Sequence, residues 1–227
     1  MHNSRASTGA TSMPLDGHRV LSARDALARA AALEASTELE PFQCQGRIHV
    51  SLFFDGTQNN RDWKNELDNN AHSNVARLYD ASIDEPQRGY FRFYVPGVGT
   101  PFPEIGDSGR WIDAISGAAV GNYGSDRINW GIIQVYNSVH RYLTEGNLIE
   151  GEEARRIVSN MSSQISQLGF VDWARRMILR TCEQRLADVV RSHQRKVLDI
   201  NVSVFGFSRG AAQARAFVNR LFEIAKY

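Results

Sequence analysis

The sequence predicts an α/β domain with a mostly parallel sheet and flanking helices, and three observations support this prediction. Strand-like segments alternate with segments of helical periodicity along most of the chain. Strands alternating with helices are typical of parallel sheets. The last strand-like segment, 200–206, is rich in Val and Ile, stops at Gly206 and is followed at once by a helical pattern. With 42% hydrophobic and 22% charged residues, the 227-residue chain is long enough for one hydrophobic core.

The part of the chain before the first predicted strand has two segments. Residues 1–20 are rich in Ser, Thr, Gly and Arg, which predicts a mobile tail. Residues 21–41 have an alanine-rich amphipathic pattern that stops at Pro41, which predicts a helix. We expect this helix to pack on the domain, and docking to a delivery partner is the alternative. The rest of the chain, 42–227, is predicted to form one domain.

Two segments in the first half of that domain have the pattern of strands. Residues 47–54 alternate and then become fully apolar, as expected of a strand buried on both faces, and the turn 55–57 closes it. Residues 90–95 form an aromatic-rich second strand, which ends in a Pro- and Gly-rich stretch at 96–103. Between the two strands, 73–79 has a serine cap and helical spacing, which predicts a short helix.

A helical insertion over about 106–195 separates these strands from the last one. Residues 106–124 contain five glycines, which predicts an irregular loop near the functional site. Helical periods then cover 128–143, 152–168 and 171–197.

Composition and charge exclude several classes of protein. The 26 basic and 25 acidic side chains give a net charge of +1, which argues against nucleic acid or an anionic membrane surface as partner. No transmembrane segment or signal peptide is apparent, so we expect synthesis in the cytoplasm. Cys44 and Cys182 lack redox or metal-ligand spacing, which favours free thiols. A disulfide between them is the alternative. We expect no metal and no cofactor.

The segment around Ser208 combines a strand, a sharp turn and a helix with the pattern Gly206-x-Ser208-x-Gly210. In this context the pattern is typical of a nucleophile elbow, which holds a serine in a strained conformation above the edge of a sheet. Side chains at either glycine position would collide with the neighbouring strand and helix. The N–H of Arg209 then lies at the positive end of the following helix and could face an oxyanion. The alternative is a tight turn with an ordinary serine.

Three stretches resemble a family of α/β-hydrolase domain proteins that includes the type VI secretion phospholipase effectors. They are LFFDGTQNN at 52–60, YVPGVGT at 94–100 and GFSRGA at 206–211, in the family's order. The resemblance implies an α/β-hydrolase fold, of which this chain is the N-terminal part, and hydrolysis of a phospholipid ester through an acyl-enzyme on Ser208. It also implies delivery into the periplasm of a target cell, with a secretion spike protein and an immunity protein as partners.

In α/β-hydrolases the loop after the strand that precedes helix A supplies a second oxyanion donor. The backbone of Gly56 and Thr57 has that place in the predicted order of elements. The alternative is a turn in which Asp55 caps a helix.

An acid and a base for a catalytic triad are not visible. The six histidines, which include His72 and His193, all precede Ser208, whereas the acid and then the histidine follow the nucleophile in this fold. Only 19 residues follow Ser208, and Glu223 carries their sole carboxylate side chain. We favour a longer hydrolase whose acid and base lie beyond residue 227, which would leave this chain incomplete at its C-terminus and inactive alone. Alternatively, His72 or His193 reaches Ser208 from upstream.

Two further hypotheses belong to other classes. The stretch 53–57 also resembles the first motif of haloacid-dehalogenase-like phosphatases, but Phe53 stands where the nucleophilic aspartate is needed. The second is a non-catalytic or split hydrolase fold that binds a spike protein, an immunity protein or its own C-terminal half. Covalent labelling of Ser208 by a fluorophosphonate distinguishes an enzyme from such a binding module.

Overall fold

The computed structural model describes residues 22–37, 45–62, 72–109, 118–163 and 171–225. The predicted tail 1–20 and Cys44 lie outside the described residues. The elements, in chain order, are α1 (Ala23–Thr37), β1 (Gln45–Phe54), α2 (Asn74–Ala81), β2 (Tyr90–Val95), α3 (Ala118–Thr144), α4 (Gly151–Ser163), α5 (Val171–Ser192), β3 (Lys196–Gly206) and α6 (Arg209–Ala225). Short 3₁₀ turns cover Pro86–Arg88 and Pro103–Ile105.

The described strands form one parallel sheet in the order β2-β1-β3, as the alternation of strands and helices predicts. In this register Phe54, the last residue of β1, pairs with Val95 on one side and with Gly206 on the other. Because all three strands end at the same level, the loops that follow them emerge side by side at the carboxyl edge of the sheet.

The hydrophobic core lies on both faces of β1. Successive side chains of a strand point to opposite faces, and the consecutive residues Phe53 and Phe54 are both fully buried. The ring of Phe53 packs edge-on against Tyr79 of α2, and the ring of Phe54 packs against Phe217 of α6, each at 5.7 Å between centroids. Helices therefore cover both faces of the sheet. Full burial of each such side chain stabilises the fold by roughly 1.5–3 kcal/mol.

The helix α3 begins at Ala118, within the segment that the sequence predicts to be an irregular loop. The prediction of irregular structure is therefore wrong from residue 118 onward, while 110–117 lie outside the described residues. Gly124 and Gly131 lower helix propensity, but both lie where α3 contacts α6. A Cβ on Gly131 would lie 3.3 Å from both Leu52 and Phe217. Close packing of α3 on β1 and α6 therefore outweighs the low propensity of glycine.

The strand β3 begins at Lys196, whereas the sequence pattern assigns residues up to 197 to a helix. Its first residues pair with the start of β1, and the Arg47 and Asp199 side chains form an ion pair at 3.0 Å. Among the described strands β3 pairs on one side only, and Leu198 (56% exposed) and Ile200 (42% exposed) leave apolar surface at its open edge.

The described side chains of α1 are all exposed, including Leu27. The expected packing of this helix on the domain is therefore not found among the described residues. In the part of the chain that the structure describes, no helix has the length and apolar character needed to cross a membrane.

Candidate active site

Three loops meet at the carboxyl edge of the sheet, and the predicted nucleophile and oxyanion residues lie in these loops or at the ends of the elements that they join. The first, 55–60, follows β1, the second, 96–101, follows β2, and the third is the turn between β3 and α6. Main-chain hydrogen bonds connect them to the neighbouring strands: the Asp55 N–H donates to Val95 O at 3.0 Å and the Phe207 N–H to Phe54 O at 3.1 Å.

Ser208 occupies the turn in a conformation that L-residues rarely adopt. Its φ is +53°, in the left-handed region, and its side chain is exposed. Such a conformation costs roughly 1–3 kcal/mol and persists only where the surrounding structure enforces it. The next residue, Arg209, begins the 17-residue helix α6, so the first N–H groups of that helix lie next to Ser208.

Two glycines make this turn possible. A Cβ on Gly206 would lie 2.6 Å from the carbonyl oxygen of Gly210, and a Cβ on Gly210 would overlap the carbonyl oxygens of Phe54 and Asp55. The strand can therefore turn into α6 only when Gly206 lacks a side chain, and α6 can start against the end of β1 only when Gly210 lacks one.

Asp55 anchors the first loop. It is 1% exposed. Four groups donate hydrogen bonds to its carboxylate: the Gly56 N–H at 2.7 Å, the Ser73 hydroxyl at 2.6 Å, the Tyr94 hydroxyl at 2.6 Å and the Asn59 amide at 3.3 Å. The cap of α2 is Ser73, which accepts the Ala76 N–H at 3.0 Å, so Asp55 does not cap this helix itself. The carboxylate instead joins the end of β1 to α2 and β2.

This network distinguishes the two backbone donors that the sequence offers for an oxyanion. The Gly56 N–H is taken up by the Asp55 carboxylate. Among the described residues, the Thr57 N–H has no hydrogen-bond acceptor. The Thr57 hydroxyl accepts a hydrogen bond of 2.5 Å from Arg209 Nε, a contact between residues 152 positions apart. Thr57 of the first loop and Arg209 at the start of α6 are therefore neighbours.

The second loop is hydrogen-bonded to the first through main-chain groups. The Gly97 N–H donates to Asn59 O at 2.8 Å, and the Gln58 N–H donates to Val98 O at 3.0 Å. A Cβ on Gly97 would overlap the carbonyl oxygen of Gly56, so the glycine allows the two backbones to touch. The stretches 52–60 and 94–100, which the sequence singles out separately, therefore form one structural unit.

Neither alternative base from the sequence analysis lies in hydrogen-bonding contact with Ser208. His72 Nε2 is 2.9 Å from the carbonyl oxygen of Arg61, to which it donates. His193 precedes the 11-residue strand β3, whereas Ser208 follows it, so roughly 35 Å separates them at about 3.3 Å per residue. Glu223 lies four turns along α6, about 20 Å from the serine. Within the described ranges, no group of three His, Cys, Asp or Glu residues could hold a metal ion.

A cavity of about 500 Å³ lies beside β2, at the same end of the sheet. Its lining includes Arg61, Arg92, Tyr94, Phe102 and Trp130, and it does not include Ser208. The positive and aromatic groups in this cavity form a region that the sequence analysis does not single out.

The comparisons with known proteins agree with this architecture. The chain matches a solved structure described as an uncharacterized protein from Pseudomonas aeruginosa with a TM-score of 0.68 and 27% identity, over 95% of this chain and 30% of that one. The chain thus spans less than a third of the length of that protein. No curated protein matches it. A family model described as "T6SS, Phospholipase effector Tle1-like, catalytic domain" matches residues 49–225, which include all three loops. The chain therefore belongs to the Tle1-like type VI secretion phospholipase effector family, within its catalytic domain.

Proposed function

We propose that this chain carries the nucleophile and the oxyanion hole of a serine phospholipase. The observation that carries the proposal is the position of Ser208, exposed at φ +53° between the carboxyl end of β3 and the start of α6. Strand, strained serine and helix N-terminus in this order are the arrangement of a nucleophile elbow. The phospholipid substrate comes from the family to which the chain belongs.

In the proposed reaction the Ser208 hydroxyl oxygen attacks the acyl carbonyl carbon of a phospholipid ester. The serine proton passes to a general base and then to the leaving alkoxide as the ester C–O bond breaks. The resulting acyl-enzyme is hydrolysed when water, deprotonated by the same base, attacks the acyl carbon and releases the fatty acid and the serine.

The negative charge on the carbonyl oxygen would be stabilised by two backbone donors. The N–H of Arg209 begins α6, where the helix dipole favours an anion. The second donor is the N–H of Thr57, because the neighbouring Gly56 N–H is already bonded to Asp55. The hydrogen bond between the Arg209 and Thr57 side chains supports a fixed spacing between these two donors.

The general base and its acid are proposed to come from outside the described residues. Neither His72 nor His193 is in hydrogen-bonding contact with Ser208, and the solved structure that the chain matches is more than three times as long. Delivery to the periplasm of a target cell, with a spike protein and an immunity protein as partners, is likewise proposed from family membership alone.

Phospholipid hydrolysis by the complete gene product tests this function. The substrate is a vesicle of phosphatidylethanolamine and phosphatidylglycerol, and the readout is released fatty acid. Ser208→Ala is expected to lower the rate by roughly 10⁴- to 10⁶-fold, because removal of a nucleophile costs about that much. Ser203→Ala, at an exposed serine of β3, is the matched control and should leave the rate unchanged. Equal rates for Ser208→Ala and the wild type would contradict the proposal.

A non-catalytic binding module is the second candidate, and the open edge of β3 favours it. Leu198 (56% exposed) and Ile200 (42% exposed) leave apolar surface on this strand, which suits a partner better than water. A folded gene product that neither hydrolyses lipid nor reacts with a fluorophosphonate would establish this candidate over the enzyme.

A further inference from the structure

Arg127 of α3 is a fully buried charged residue outside the three loops. Its side chain is 0% exposed, and Asp107 pairs with it at 2.8 Å. Burial lowers the pKa of the Arg127 guanidinium, while the hydrogen bond to Asp107 opposes that shift. This arginine takes no part in the proposed reaction.

The guanidinium of Arg127 donates hydrogen bonds to three carbonyl groups of the second loop. Nε donates to Pro96 O at 2.8 Å, and Nη2 donates to Thr100 O at 3.0 Å and to Gly97 O at 3.3 Å. The ring of Phe102 covers the guanidinium carbon at 5.5 Å from its centroid. A planar group with five donors can hold several carbonyl oxygens at once, which the single ammonium of lysine cannot do in the same geometry.

The bond to Pro96 O also directs the next N–H. The carbonyl of Pro96 and the N–H of Gly97 belong to one trans peptide unit, so they point in opposite directions. With the carbonyl held toward Arg127, the Gly97 N–H points to the first loop and donates to Asn59 O at 2.8 Å. The Gln58 N–H returns a hydrogen bond of 3.0 Å to Val98 O.

From these contacts we infer that Arg127 is a positioning residue, which places the Thr57 N–H at the oxyanion hole through the loops 96–101 and 55–60. The inference rests on the proposed function, since Thr57 is the oxyanion donor there. Arg127 itself lies behind the second loop and contacts neither Ser208 nor Thr57 through a hydrogen bond among the described residues.

Arg127→Lys in the complete gene product tests this role. It keeps the charge and the aliphatic stem but loses the planar set of donors. We expect kcat for a phospholipid to fall by about 10²-fold with KM nearly unchanged, because a displaced oxyanion donor acts on the transition state. The rate of fluorophosphonate inactivation should fall by a similar factor. Arg175→Lys, a buried arginine of α5 that is 5% exposed, is the matched control and should leave both rates unchanged.

Thermal unfolding and active-site titration distinguish positioning from a purely structural role. A folded Arg127→Lys protein whose kcat per titrated site equals that of the wild type overturns the inference. If Arg127→Lys does not fold, Thr100→Val decides, because it removes the 2.8 Å hydrogen bond to Gly97 O within the second loop and the 3.3 Å hydrogen bond from the Asn60 amide of the first loop. A lower kcat in that variant, by about three- to tenfold, supports the inference, and an unchanged kcat overturns it. A wild type that does not react at Ser208 overturns the proposed function and this inference together.

Discussion

The first loop, 55–60, and the turn 206–210 lie side by side at the edge of the sheet, yet they are held in place by different forces. The first loop is organised around a buried carboxylate that accepts four hydrogen bonds. The turn is exposed at Phe207, Ser208 and Arg209, and it is shaped by the absence of side chains at its two glycines. One region is therefore fixed by hydrogen bonds in a protected environment, and the other by steric fit and backbone strain.

This difference suits the parts that the two regions play in the proposed reaction. A backbone N–H that stabilises an oxyanion must already point correctly before the reaction, and buried hydrogen bonds supply such preorganisation. A nucleophile must be exposed to substrate, so its orientation has to come from the backbone conformation and not from burial.

Asp55→Ala removes the acceptor on which the first loop depends. The Gly56 N–H and the Ser73 and Tyr94 hydroxyls would lose their partner in a buried site, so we expect the free energy of unfolding to fall by about 3–5 kcal/mol. Urea denaturation measures the change. The control is Asp62→Ala in the exposed continuation of the loop, where loss of an ion pair to Arg61 should cost less than about 1 kcal/mol. Equal effects at the two positions would contradict the anchoring role of Asp55.

Gly210→Ala tests the steric side of the comparison. The added Cβ would overlap main-chain oxygens of Phe54 and Asp55, so we expect a loss of about 2–3 kcal/mol in unfolding free energy and the loss of Ser208 reactivity. Gly146→Ala is the matched control, because a Cβ there meets nothing within 4 Å, and its effect should stay within about 0.5 kcal/mol. A stable and reactive Gly210→Ala protein would show that the turn does not need a glycine.

A pair of substitutions at Ser208 measures the strain in the turn. Glycine tolerates positive φ and alanine does not, so Ser208→Gly should be more stable than Ser208→Ala by about 1 kcal/mol, although neither has a nucleophile. At Ser203, within β3, the order should reverse, since glycine weakens a strand by about 0.5–1 kcal/mol. Equal stabilities of the two Ser208 variants would mean that the serine is not strained.

Thr57→Val has the smallest expected effect. It keeps the backbone N–H of the first loop but removes the hydroxyl that accepts the hydrogen bond from Arg209. We expect phospholipid hydrolysis to slow by about three- to tenfold, with little change in thermal stability, because one exposed hydrogen bond is lost. A loss as large as that of Ser208→Ala would instead mean that the hydroxyl takes part in the chemistry.

Local sequence patterns predict the strands 47–54 and 90–95 and the parallel sheet well, because apolar runs and their alternation with helices are properties of neighbouring residues. The first ten residues of α3 are missed because Gly121 and Gly124 disfavour a helix locally, and the contact of Gly124 with Gln213 of α6 joins residues far apart in the sequence. The start of β3 is missed because 196–199 mix polar and apolar residues and are mostly exposed, and pairing with β1 places this segment in the sheet.

The candidate site likewise contains residues that a local motif identifies and residues that only long-range contacts identify. Ser208 and its two glycines form one short motif, so the sequence alone is enough to find them. The choice of Thr57 over Gly56 depends on a hydrogen bond to Asp55, and the role of Arg127 depends on contacts with residues about 30 positions away. Contacts of this kind leave no local signal, although a basic residue at the start of the apolar run of α3 could have drawn attention to Arg127.

The central claim is that Ser208 is the nucleophile, and peptide mapping after reaction with a fluorophosphonate tests it most directly. The complete gene product is treated with the probe, digested and examined by mass spectrometry, with Ser208→Ala and Ser203→Ala treated in parallel. We expect a single phosphonylated peptide that contains Ser208 in the wild type and in Ser203→Ala, and no adduct in Ser208→Ala. An adduct on another serine, or an unmodified Ser208 in a protein that hydrolyses phospholipid, would contradict it.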